Sequence, residues 1–197
     1  MSAVEAVDEI APGVRHWRAL RQTIGSEVSS YYLSEERVAI DPMLPPERPE
    51  WFRPEHVILT CRHHDREAWE LGCPVWVVVQ GAHEVEGRGE IRTFEWGDEL
   101  PGGAVAHEVG ALSPDETALH LPAHGALAVG DGLIRWEPDG PLSFVPDRFM
   151  DDASRDQAGL RAAYERLLDL DWDLLLLTHG NPVVGDAKEQ LRTFLEV

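Results

Sequence analysis

Apolar residues in this chain fall in short blocks, cut apart by glycine, proline and acidic turns. Residues 13–19, 28–33 and 37–40 read as strands of an N-terminal meander, with Ser34-Glu35-Glu36 as a tight polar turn. Val57, Ile58 and Leu59 form a brief buried strand, and residues 66–71 a short helix stopped by Gly72 and Pro74. Pro74 to Val79 is a continuous apolar run, the pattern of a strand covered on both faces. Residues 82–85 suggest one helical turn. Residues 91–95, 104–109, 117–121 and 126–129 are expected as strands of a second sheet. Ser154-x-x-Gln157 predicts a helix start, with Leu160, Tyr164, Leu167 and Leu168 on one face. Asp186-x-x-Glu189 predicts another, with Leu191, Phe194 and Leu195 as its apolar stripe. Leu174 to Leu177 lie between these helices and so belong in a central strand. Pro45, Pro46, Pro49 and Pro54 make the preceding stretch a connector with at most one helical turn. Periodicity supports a mixed α/β chain without internal repeats, and no linker divides residues 1–197.

Three of the apolar blocks end in groups able to bind a metal or an anion. The first runs into Cys61-Arg62-His63-His64-Asp65-Arg66, the second into Gly130-Asp131-Gly132, the third into Thr178-His179-Gly180. Cys61, His63 and Asp65 offer soft, borderline and hard donors within five residues. Taken alone, the first segment reads equally well as a polar loop with two surface histidines. Three donors at three strand ends point to one site at a sheet edge. Asp41 before Pro42 is a turn former or a group that orients a ligand from behind. His64 is expected to point away from His63, toward the surface or into a supporting role. His107, His120 and His124 read as solvated or hydrogen-bonded side chains. The tryptophans read mostly as core, with Trp136 close enough to the Gly130-Asp131 pair to line a pocket.

The order of these segments resembles the metallo-β-lactamase fold superfamily over nearly the whole chain. In that family the first strand ends in T-H-x-H-x-D-H, a later one in G-D and a last one in G-H-G-x-P. The resemblance implies a four-layer αββα sandwich of two mixed sheets flanked by helices, with Asp41 supporting the metal loop. It also implies a two-metal hydrolase site in which metal-bound water is the nucleophile. Carried over by position, Cys61 and His63 stand for the H-x-H pair, Asp65 and Arg66 for the D-H pair, Asp131 for the bridging carboxylate and His179 for the final histidine. The middle histidine falls at Ala111. Alanine has no donor and arginine stays protonated. A guanidinium ~4 Å from a divalent cation is repelled by several kcal/mol at an effective dielectric of about 20.

Two function classes follow. One is a metal-dependent hydrolase of a small ester, thioester or lactone with at most one zinc or other divalent ion, held by Asp65, Asp131 and His179 with Cys61 or His63, and with Asp65 in the catalytic role. The other is a catalytically silent, metal-free protein that uses the same cleft to bind a small molecule, with Arg62 or Arg66 holding its anionic group. In the second class Arg66 pairs with Asp65 or Asp131 in place of the metal.

Charge narrows the partners. The formal net charge is -19, and only one of the 17 basic residues is lysine, Lys188. Such a surface repels nucleic-acid phosphates and anionic membranes. No apolar run approaches the length of a membrane span, and the acidic N-terminus lacks the basic region of a signal peptide. Two cysteines, Cys61 and Cys73, do not make a disulfide framework, and a reducing cytoplasm is the simplest setting. Partners are therefore expected to be a small-molecule ligand or substrate, neither nucleic acid nor membrane, with homo-oligomerisation left open.

Overall fold

The computed structural model describes residues 7–196. Seven strands in sequence order build the first sheet: β1 (Asp8–Ala11), β2 (Val14–Arg21), β3 (Ser26–Leu33), β4 (Val38–Ile40), β5 (His56–Ile58), β6 (Val75–Val78) and β7 (Ile91–Phe94). The first four run antiparallel through tight turns, and β4 to β7 run parallel. Parallel strands need longer crossovers, which the proline-rich connector and the segment after β5 supply. The chain continues through β8 (Glu99–Leu100), β9 (Ala104–Glu108), β10 (Thr117–Leu121) and β11 (Ala126–Ala128). A separate hairpin follows, β12 (Leu133–Arg135) with β13 (Leu142–Phe144), then helix α1 (Ala153–Leu167). The last elements are β14 (Leu174–Leu176), β15 (Val183–Val184) and helix α2 (Ala187–Leu195). The second sheet has the order β15-β14-β11-β10-β9-β8, with β14 parallel to β11.

Alternation along the strands makes three apolar layers. Tyr31, Leu33, Ile40 and Ile58 meet Leu119, Leu121 and Leu176 between the sheets. The opposite face of the second sheet, with Leu127, Val129, Leu175 and Leu177, is covered by α1 and α2 through Leu160, Tyr164 and Leu191. The opposite face of the first sheet, with Trp17, Tyr32, Val57 and Val77, is covered by Phe52, Ala68 and Val85. These last three come from the connector and two 3-10 turns, Ala68–Leu71 and Ala82–Glu84. The structure is thus a sandwich of two mixed sheets. Its α-helices lie on the second sheet, and short turns replace helices on the first. Prolines at 45, 46, 49 and 54 explain the difference, since they remove amide donors from that stretch.

Several expectations change. The strand at residues 91–95 belongs to the first sheet, not the second, because β7 pairs in parallel with β6 from Val75↔Ile91 to Val78↔Phe94. The predicted helix at residues 66–71 is the 3-10 turn, closed by Gly72 at φ 67°. Helix α1 is capped by Asp152, whose carboxylate accepts from the Arg155 amide, and not by Ser154. Asp186 precedes α2 without a side-chain cap. β1, β8, β15 and the β12–β13 hairpin have no counterpart in the sequence reading, being too short or too polar for a periodic signal. No helix among the described residues is long and apolar enough to cross a membrane. Most of the N-terminal stretch read for a leader, residues 1–6, lies outside the described residues.

Candidate functional site

The three donor-bearing strand ends meet at one mouth of the sandwich. β11 and β14 are parallel neighbours, so Asp131 and His179 leave the second sheet side by side. The segment after β5 comes over them from the first sheet. Together they line a cavity of about 400 Å³ whose walls include His63, His64, Asp65, Asp131 and His179, and also Arg21, Arg62, Arg66 and Arg88. Arg21 and Arg88 had no signal in the sequence: Arg21 ends a strand and Arg88 sits in a loop, and only the fold brings them here.

His64, not His63, turns inward. The backbone makes a 3-10 turn at Arg62–His64, which puts the His64 ring in the interior and leaves His63 exposed. His64 Nδ1 lies 3.0 Å from Asp41 Oδ2, and Nε2 lies 3.0 Å from Asp131 Oδ1. Burial favours the neutral ring, but Asp131, Cys61 and Asp41 outweigh it and hold the His64 pKa well above its ordinary value. Asp41 is itself buried. Its Oδ1 accepts from the Thr60 amide at 2.9 Å and its Oδ2 from the Thr60 hydroxyl at 2.6 Å. Asp41 therefore ties the end of β4 to the segment after β5 and braces His64.

Asp131 accepts from the Thr178 hydroxyl at 2.9 Å, and His179 Nε2 lies 3.5 Å from the same oxygen. Burial would raise the Asp131 pKa, but the His64 charge and hydrogen bond, with His179 and Arg66, hold it far below the usual carboxylate range. His179 Nδ1 is 3.0 Å from the Glu27 carbonyl. Since a carbonyl only accepts, that nitrogen carries the proton and Nε2 presents a lone pair. Burial lowers the His179 pKa, with the opposing pull of Asp131 too weak to restore it.

Asp65 takes no part in this cluster. Its carboxylate pairs with Arg88, accepts from Trp69 Nε1 at 3.0 Å and lies 3.9 Å from Arg21 Nη2. Arg66 forms an ion pair with neither Asp65 nor Asp131, unlike the pairing that the metal-free alternative expects. Its Nη1 donates to the carbonyls of Ser29 at 2.6 Å and Asp41 at 2.7 Å. Its Nε and Nη2 are buried without a hydrogen-bond partner. Arg62 faces the cavity but is committed, its guanidinium and amide both held by Asp115. Cys61 is buried, and burial pushes its thiol up, partly offset by His64. Asp41 (φ 46°) and Arg66 (φ 38°) sit in the left-handed region, a strain that the surrounding hydrogen bonds sustain.

The remaining positions are elsewhere. Ala111 packs against α1, where a Cβ added to Gly159 would lie 2.9 Å from the Ala111 Cβ. A histidine at 111 would meet that helix. His120 and His124 are bonded to the Asp171 carbonyl and to Glu36. Trp136 is exposed beneath Arg148 and does not line this cavity.

The donors do not fit a two-metal centre. Asp65 is held by two arginines and an indole, the Arg66 guanidinium donates to backbone carbonyls, and Ala111 has no donor. Among the described residues no three His, Cys, Asp or Glu side chains are disposed to hold a metal ion.

No protein-family model and no curated protein matches the sequence. Solved structures do match. The metal-soaked Flv1 flavodiiron core from Synechocystis sp. PCC6803 superposes with a TM-score of 0.73 at 14% identity, over 99% of this chain and 60% of that one. The chain therefore spans under two thirds of that protein's length. The metallo-β-lactamase FIM-1 from Pseudomonas aeruginosa, in a mono-zinc form, superposes with a TM-score of 0.69 at 11% identity, over 97% of this chain and 94% of that one. This chain has the metallo-β-lactamase fold. A metallo-β-lactamase family protein from Thermus thermophilus agrees, with a TM-score of 0.67 at 13% identity over 95% of this chain and 80% of that one. In this chain Asp131 and His179 stand at the sheet edge of that fold, in a cavity that arginines also line.

Proposed function

We propose that this protein binds a small anion in the arginine-lined cavity and that it does so without a metal pair. The observation that carries the reading is Arg66. Arg66 lines the cavity, and its buried guanidinium has no carboxylate within ion-pair distance among the described residues and keeps two nitrogens without an acceptor. A buried cation in that state is costly, and an anion that accepts from it recovers the cost. Four arginines line this cavity together with Asp65, Asp131 and Glu84, and of the four Arg66 is the one without a carboxylate within ion-pair distance among the described residues.

A second reading, a hydrolase with one divalent ion, is supported by His179. Its Nε2 lone pair faces Asp131 Oδ1 at 3.5 Å, an arrangement that a cation between them would relieve. Two of the structural neighbours are named for metal-soaked and mono-zinc states. In this reading the substrate is a small ester, thioester or lactone.

Elemental analysis of protein purified without chelator, paired with thermal unfolding in acetate or phosphate at constant ionic strength, separates the two. The expected outcome is no stoichiometric metal and an anion-dependent rise in Tm of roughly 5–10 °C at a hundredfold excess over Kd, lost in Arg66→Gln. One equivalent of zinc or iron, lost in Asp131→Ala, with no anion effect on Tm, establishes the hydrolase reading instead.

A further inference from the structure

The donors around Asp131 do not fit a two-metal centre, and yet Asp131 is not left without a positive neighbour. His64 Nε2 lies 3.0 Å from Asp131 Oδ1. A carboxylate oxygen only accepts, and a bare ring nitrogen at that distance would set one lone pair against another. Nε2 therefore carries a hydrogen.

The other ring nitrogen is under the same constraint. Nδ1 lies 3.0 Å from Asp41 Oδ2 and 2.8 Å from the Thr60 hydroxyl oxygen. That hydroxyl has one hydrogen, and it gives it to Asp41 Oδ2 at 2.6 Å. Nδ1 is left facing two acceptors, so it carries a hydrogen as well. A histidine with hydrogen on both nitrogens is an imidazolium. Here it is held between two carboxylates, with its side chain 3% exposed. Burial and Arg66 oppose the charge; Asp131, Cys61 and Asp41 favour it and prevail.

His179 does not supply this charge. Its hydrogen is on Nδ1, toward the Glu27 carbonyl, and its Nε2 stands 3.5 Å from Asp131 Oδ1. The same Asp131 oxygen also accepts from the Thr178 hydroxyl at 2.9 Å. A divalent ion bonded to that oxygen would share it with a unit positive charge already 3.0 Å away. Like charges at this range repel strongly enough to cost at least about tenfold in affinity, even at an effective dielectric of about 20.

We infer that the His64 imidazolium is the resident cation of this site, standing on Asp131 where a metal ion would bind, and that its charge keeps a metal ion off that carboxylate. The inference goes beyond the anion reading, which rests on Arg66, and holds whether or not an anion enters the cavity.

Two measurements on the full chain at neutral pH test it. Nitrogen–proton correlation spectra of the histidine rings, with His64 assigned by its loss in His64→Gln, are expected to show hydrogen on both nitrogens of His64. Equimolar zinc is expected to leave that signal unchanged. Competition with a chromogenic chelator then measures zinc held at Asp131, counted as the part abolished by adding Asp131→Asn. His64→Gln removes the charge, and its zinc affinity at Asp131 is expected to exceed the parent's by roughly tenfold or more. A neutral His64 ring, or one that loses a hydrogen when zinc is added, overturns the inference on the parent protein alone, so the test stands even if His64→Gln does not fold. A folded His64→Gln that holds zinc at Asp131 no more tightly than the parent overturns it too. None of these outcomes touches the anion reading, which the Arg66→Gln measurement in acetate or phosphate decides.

Discussion

His63 and His64 are adjacent, and only one can face inward. The sequence identifies the segment as chemically loaded, but which ring turns in depends on the 3-10 turn at Arg62–His64, and a turn of that length leaves no periodic mark. Asp131 and His179 were legible because each closes an apolar strand, which fixes where its backbone goes. Arg21 and Arg88 were not, because nothing local distinguishes a cavity arginine from a surface one. Arg66 was legible as an obstacle to metal binding, but its partners are backbone carbonyls, which no residue pattern announces. The most consequential single contact is between Asp41 and His64. Removing Asp41 takes away one of the two carboxylates on the buried His64 ring, with Asp131 remaining 3.0 Å from Nε2, and the loss of such a charged hydrogen bond typically costs roughly 1.5–3 kcal/mol. Asp41→Ala also strands the Thr60 amide and hydroxyl. Its stability by chemical denaturation is expected to fall by about that amount, and by less in Asp41→Asn, which keeps an acceptor. An Asp41→Ala protein as stable as the parent would show that neither the His64 ring nor Thr60 depends on this carboxylate.

At the scale of elements, long or strongly apolar segments were legible and short ones were not. β10 is found where the pattern places it, and β6 and β14 nearly so, the last two because burial on both faces demands continuous apolar runs. The placement of β7 could not be read, since a strand does not encode which sheet it joins. One contact between elements governs the Asp131 loop. Glu116, just before β10, accepts from the Gly132 amide at 2.6 Å, and its other oxygen is buried without a partner. A Cβ on Gly132 would lie 2.6 Å from that carboxylate and 2.5 Å from Leu160, so only glycine lets the loop approach. Burial pushes the Glu116 pKa up to about 7; the Gly132 bond opposes the rise and the Asp131 charge adds to it. An unfolded glutamate titrates near ~4.3. With the folded value raised, the folded state holds its proton longer. The group therefore costs nothing below about pH 4, and its destabilisation grows as pH rises through about 7. By pH 8.5 the cost reaches roughly 3 kcal/mol. Glu116→Gln keeps an acceptor for Gly132 and removes the charge. Its stability relative to the parent is expected to rise by about that amount between pH 5 and pH 8.5, measured by urea denaturation across the range. A difference that does not change with pH would mean Glu116 is ionised throughout.

For the molecule as a whole, the governing fact is charge. A net charge of -19 on 197 residues surrounds the chain with a negative potential. Its basic residues do not offset this collectively. Many are spent in local pairs, such as Arg37 with Glu55, Arg48 with Glu70 and Arg192 with Glu189, and exposed pairs of this kind present little field at a distance. The arginines of the cavity are the exception in position, yet Arg62 and the exposed Arg88 are shared with Asp115 and Asp65. A polyanion approaching the molecule meets the acidic surface before it meets them, while a small anion can enter the cavity. Binding to DNA or RNA draws its affinity from phosphate neutralisation and weakens steeply with salt. No such binding is expected at physiological ionic strength, measured by fluorescence anisotropy with single-stranded and duplex probes. Lowering the salt should not rescue it, because weaker screening strengthens the repulsion as well. Nucleic-acid affinity that rises steeply as salt is withdrawn would show that the arginine cavity reaches a polyanion from the surface, and that the ligand it takes is a phosphate chain.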